Sequence, residues 1–124
     1  MTVNLDSKAN KRRLRVLAGT AYTRELGNEL AKLEIDFGRW RRGEIDPFEL
    51  SDRIHRFHEG VSRDLYVTYR DLPPGQTVAR AVAFEVLERA EVPADLLAAL
   101  ERTIQFFKEP EEPAGEQAEK DSDD

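Results

Sequence analysis

The sequence contains no cysteine. A disulfide framework, a thiolate metal site and a thiol nucleophile are therefore excluded. It has only two histidines, both inside Ile54-His55-Arg56-Phe57-His58, so any imidazole chemistry must come from one short segment. No run of about 18 apolar residues occurs, so no stretch reads as membrane-spanning. The basic start (Lys11, Arg12, Arg13, Arg15) is followed only by Val16-Leu17-Ala18 before polar residues return, which is too short for a secretory leader. A cytoplasmic protein with no membrane partner is the expectation. Glycine-rich phosphate loops and the Gly-x-Ser-x-Gly elbow are missing too. Ser7, Ser51, Ser62 and Ser122 read as caps or tail, and no cofactor is expected.

The chain is 124 residues long, one domain's worth, and long enough to bury a core without covalent staples. Its net charge of −6 is unevenly spread. Residues 109–124 hold eight acids and one lysine, a net −7, which leaves the other 108 residues near +1. The acidic, proline-bearing segment 109–124 cannot bury enough apolar surface to fold alone and reads as a disordered tail. The near-neutral body lacks the overall basic footprint of a nucleic-acid-binding domain.

Apolar residues recur at helical spacing throughout. Residues 1–10 read as a flexible N-terminus and 11–108 as one helical domain. A first helix is predicted from about Lys11 to Arg42, with Leu14, Ala18, Ala21, Tyr22, Leu26, Leu30, Leu33, Phe37 and Trp40 toward the core. Gly19-Thr20 is a possible break, with Thr20 as a new cap. Gly43 ends the helix behind Arg41 and Arg42. Asp46-Pro47-Phe48-Glu49 is a strong helix start, with a capping acid, a first-turn proline and Ile45 placed to staple onto Leu50. The second helix carries Leu50, Ile54, Phe57, Val61, Leu65 and Tyr69, and Gly60 can kink or split it. Leu72-Pro73-Pro74-Gly75 is a turn. Thr77 is expected to cap a third helix running to about Ala90, with Val78, Val82, Val86 and Ala90 on one stripe. Val92-Pro93 interrupts it, and a fourth helix, about Ala94 to Lys108, uses Leu97, Leu100, Ile104 and Phe107.

The expected fold is all-α: an antiparallel bundle of four helices, five if the second is kinked, followed by the disordered acidic tail. At ~30 residues the first helix would span ~45 Å, longer than the third and fourth. Part of its seam is expected to lie uncovered, which invites self-association as a homodimer or docking of another protein.

Three chemical readings attach to specific residues. Asp52, His55 and Glu59 return to one helix face and offer oxygen and nitrogen ligands for a metal, although the His-Glu-x-x-His pattern is missing. Arg53 and His58 have the Arg-x4-His spacing of HEPN-superfamily ribonucleases, with His58 as a general base, but Ile54 stands where a polar residue is usual. The competing reading makes His58 a half-buried histidine at the core edge and His55 a surface residue. Lys11, Arg12 and Arg13, and Arg39, Arg41 and Arg42 around Trp40, form two basic clusters that could hold phosphates or stack a base. Against this, Trp40 continues the apolar seam and is expected in the core, and the arginines suit a helix end.

Trp40-x-x-Gly43-Glu44-Ile45-x-x-Phe48-Glu49-Leu50 and Ile54-His55-x-Phe57-His58-x-Gly60 resemble a family of short bacterial proteins of uncharacterised function. The resemblance spans Arg24 to Tyr69 and implies a bacterial source and an all-helical fold, with no established activity. Taken together, these readings lead to a non-enzymatic helical interaction or regulatory module. The alternatives are a nucleic-acid-binding protein using the basic clusters and a ribonuclease using Arg53 and His58.

Overall fold

A computed structural model describes residues 3–109. The acidic tail expected at 109–124 lies outside them except for its first residue. The described residues are all-α: α1 (Lys8–Arg41), α2 (Pro47–Phe57), a π-helical turn (His58–Ser62), α3 (Arg63–Asp71), α4 (Pro74–Ala83), a 3-10 turn (Arg89–Glu91) and α5 (Ala94–Lys108).

α1 begins three residues earlier than expected. Ser7 caps it by accepting from the Asn10 amide at 3.2 Å, and Val3 and Leu5 already pack on the core, so the stretch expected to be flexible is docked from Val3 onward. The helix also runs unbroken through Gly19-Thr20. Instead of capping a new helix, Thr20 turns its hydroxyl back to the Val16 carbonyl at 3.2 Å. The roughly 1 kcal/mol that a glycine costs inside a helix is outweighed here by burial of Ala21 against the core. Gly43 takes the left-handed conformation (φ +75°) that ends α1 behind Arg42. Asp46 caps α2 by accepting from the Glu49 amide at 2.8 Å, with Pro47 in the first turn.

α2 and α3 are one rod, interrupted at the place the sequence marks as a kink or split. From Phe57 the apolar residues step by four three times, to Val61, Leu65 and Tyr69. Each such step advances the face by about 40°, so three swing it by roughly 120°. The wide π turn at His58–Ser62 takes up about one residue and returns Leu65 and Tyr69 toward α1. The rod runs antiparallel to α1, in a register set by Asp36 beside Arg53 and Glu25 beside Tyr69.

α4 and α5 depart from expectation at one element. α4 starts at Pro74 behind the extended Pro73, and Thr77 lies inside it, buried, with its hydroxyl donating to the Pro74 carbonyl at 2.9 Å. α4 stops at Ala83, well short of Ala90. Glu85 adopts φ +62°, and the Glu85 and Val86 amides donate to the carbonyls of Val82 and Ala81, a Schellman ending with glutamate in the glycine position. Val78 and Val82 are buried as the stripe predicts, Val86 only partly, and Ala90 is exposed. α5 has the predicted bounds, with Leu96, Leu100 and Ile104 buried.

The core is therefore at one end of α1. Leu14 and Ala21 join Val78, Ala79, Ala81, Val82, Leu87, Val92, Leu96, Leu100 and Ile104. Arginine–carboxylate pairs brace it: Arg13 with Asp95, Arg24 with Glu91 and Arg89 with Glu101. Asn28 and Glu29 still line a pocket with Asp64, Leu65 and Thr68 of α3, and beyond them α1 runs beside α2 and the π turn as a projecting helical arm.

Candidate functional site

The arm has two unlike edges. Along one, charges neutralise each other. Arg53 reaches Asp36 at 2.7 Å and Glu49 at 3.1 Å, and Arg56 reaches Asp52 at 2.6 Å and Glu49 at 3.3 Å. Glu49 first and Asp36 second raise the Arg53 pKa further above its ordinary value. The opposite edge carries Leu26, Leu30 and Phe37 from α1 and Ile54 from α2. The antiparallel register sets Ile54 level with Phe37, and Leu30 level with the π turn.

Among the described residues the apolar edge is only partly covered. Leu30 is 46% exposed, Phe37 38%, Ile54 38% and Trp40 37%. The sequence pattern placed all four in the core. The correction follows from length: α4 has 10 residues and α5 has 15, against 34 in α1, so they cannot shield its far half. An uncovered seam is what that length mismatch predicts. Trp40 shares the arm's tip with Arg41, whose guanidinium lies 5.9 Å from the indole centroid.

Where the arm meets the core, the edge opens into a groove of about 320 Å³ lined by Tyr22, His58, Glu59, Ser62, Arg63 and Tyr66. Tyr22 forms its floor by stacking on Tyr69. The Tyr69 hydroxyl donates to Glu25, and Arg80 donates to the same carboxylate at 2.8 Å. Burial first, then Glu25, pushes the Tyr69 pKa above its ordinary value, so the phenol stays a neutral donor. The role of Glu25 and Arg80 escaped the sequence reading. Their signal is present only as opposite charges 55 residues apart, and nothing local links them.

The candidate catalytic and metal residues are not assembled. Arg53 lines the charged edge and His58 the groove on the opposite edge, because five residues turn a helix by about 140° from where it began. His58 is exposed and does not form the half-buried core edge expected of it. Asp52 and His55 are exposed on α2, and Glu59, in the π turn, lines the groove. Asp52 is taken by Arg56, and His55 Nε2 is 3.9 Å from Glu59. Among the described residues no group of three histidine, aspartate or glutamate side chains is placed to hold a metal ion.

The basic clusters are partly spent. Arg13 makes two bonds to Asp95, Arg42 meets Glu44 at 2.6 Å and Arg39 meets it at 3.5 Å. Lys11, Arg12 and Arg41 make no ion pair among the described residues. The two clusters sit at opposite ends of α1, ~40 Å apart, and do not form one surface. No helix among the described residues is long and apolar enough to cross a membrane. Comparison with family models, curated proteins and solved structures finds no match.

Proposed function

We propose that this chain is a non-enzymatic protein–protein interaction module whose working element is the helical arm. One observation carries the reading: Leu30, Phe37 and Ile54 lie on one apolar edge that the other described residues leave partly uncovered. Exposed apolar residues are ordinary when scattered, but apolar residues aligned on one edge of a projecting pair of helices have the form of a docking surface. The remaining candidates weigh on the same side. Arg53 and His58 face apart, the metal trio is not placed to hold an ion, and half of the basic residues are neutralised within the chain.

The test is whether these residues serve the fold. Leu30→Glu/Phe37→Glu, in dilute solution, is expected to keep its helix content by circular dichroism. Its loss of unfolding free energy in urea should stay below about 2 kcal/mol, because truncating a single buried leucine or phenylalanine costs about 2–5 kcal/mol. A loss of about 5 kcal/mol or more would make the row part of the core and end this reading.

A further inference from the structure

We propose that the partner of this edge is a second copy of the same chain, laid antiparallel along the arm about a two-fold axis at the level of Leu30. The proposal rests on the reading of the arm as a docking surface. It deepens that reading through three observations that a single chain leaves without a purpose.

The first is a pair of glycines. Gly19 and Gly27 lie in the middle of α1, where each costs about 1 kcal/mol against alanine. A Cβ at either position would meet nothing within 4 Å, so no neighbour among the described residues requires a glycine there. Helical geometry places both on the side of α1 that carries Leu26, Leu30 and Phe37, together with Thr23, whose hydroxyl is already used on the Gly19 carbonyl at 2.9 Å. Small residues on a helix surface let another backbone approach closely.

The second is self-complementarity, which a two-fold interface requires because each patch must meet its own copy. With the axis at Leu30, Leu30 faces Leu30. Phe37 falls opposite Thr23. Arg41, at the tip, falls opposite Gly19. Two of the larger residues, Phe37 and Arg41, thus meet small ones, and Leu26 falls opposite Glu34. On α1 the face carries one acid, Glu34, and one base, Arg41, and the groove beside it adds Glu59 and Arg63, so a second copy meets no net like charge.

The third is size. Gly19 to Arg41 spans ~33 Å, and two packed helices are ~20 Å wide, an outline of roughly 660 Å² before corrugation. That approaches the ~800 Å² per partner typical of stable interfaces. The product is a four-helix layer formed by two arms, with a core domain at either end.

The chain's lack of cysteine makes a direct test possible, since any introduced thiol is unique. Leu30→Cys should form a disulfide-linked dimer under mild oxidation. Ile35→Cys, more accessible still but on another face of α1, should not. Sedimentation equilibrium should show a reversible dimer for the unmodified chain, and the emission of Trp40, the only tryptophan, should shift to the blue as the dimer fills. Gly27→Leu should raise the thermal midpoint of the monomer, because it removes a helix-interior glycine, and should weaken dimerisation by about tenfold or more. A chain monomeric at millimolar concentration overturns the proposal, as do equal cross-linking of the two cysteine variants and dimerisation untouched by Gly27→Leu. If the Leu30→Glu/Phe37→Glu variant nonetheless keeps its stability, the arm remains a docking surface for another protein. If that variant unfolds, both readings fall.

Discussion

Tyr22 on α1 and Tyr69 on α3 stack face to face, with ring centroids 4.7 Å apart and planes 4° from parallel, where the buried core gives way to the arm. The same tyrosine joins three helices, since Tyr69 and Arg80 of α4 both donate to Glu25 of α1. The pair is thus the joint between the two parts of the molecule. Tyr22→Ala is expected to lose about 2–3 kcal/mol, combining half-buried area with the stacking contribution. Tyr22→Phe, which keeps the stack, should lose less than about 0.5 kcal/mol. Urea unfolding followed by circular dichroism measures both. Equal losses would mean that the stack holds nothing together.

Glu85 is a non-glycine residue held at φ +62° to end α4. A side chain there costs about 1–2 kcal/mol relative to glycine, which takes this conformation freely. Glu85→Gly should therefore stabilise the chain by up to about 1 kcal/mol, after allowing for the extra freedom of glycine when unfolded. A thermal midpoint that falls would show that the glutamate side chain contributes a contact of its own.

Stability should fall in acid, through identified carboxylates. Glu91 is held at about 2, against an ordinary 4.5, chiefly because Arg24 donates to it, with help from the Glu88 amide. Glu101 is likewise at about 2, through Arg89 and then Gln105, and Asp95 is lowered by Arg13. A carboxyl whose pKa is lower in the folded chain binds fewer protons there. Its contribution is present above the unfolded pKa and is lost as pH falls from about 4.5 toward 2. These groups are partly exposed to solvent, so the effect is modest and shrinks with salt. Thermal midpoints measured across that range should drop, and Arg24→Ala should flatten part of the drop. An Arg24→Ala profile parallel to the unmodified chain would contradict the assignment.

How much of this was legible in the sequence differs from element to element. The Asp46-Pro47 start of α2, the Gly43 stop and both ends of α5 were legible because caps, prolines and glycines act locally. The end of α4 was not, because Glu85 imitates a glycine. The π turn was half visible: Gly60 marked the place, and the run of four-residue steps gave the reason. Burial was the least legible. The pattern that makes Leu30, Phe37 and Ile54 look like core residues says which side of a helix is apolar and nothing about what covers it. Glu25 and Arg80 were unreadable for the same reason, since their meeting depends on how distant helices pack.

The two candidates for ribonuclease chemistry should respond as separate surface residues. His58→Ala should change stability by less than about 0.5 kcal/mol, the usual range for an exposed side chain. Arg53→Ala should cost about 1 kcal/mol, because it releases Asp36 and Glu49 on a partly buried edge. Neither change should alter the fate of RNA incubated with the chain, followed on a denaturing gel. RNA cleavage lost in both variants would show that the two residues meet in an active site.

Hydrogen exchange as a function of protein concentration tests the central claim most directly. Amides of α1 from Leu26 to Trp40 and of α2 should become more protected as concentration rises, while those of α4 and α5 stay unchanged. Protection of the arm that is the same at every concentration would contradict a second copy on its apolar edge.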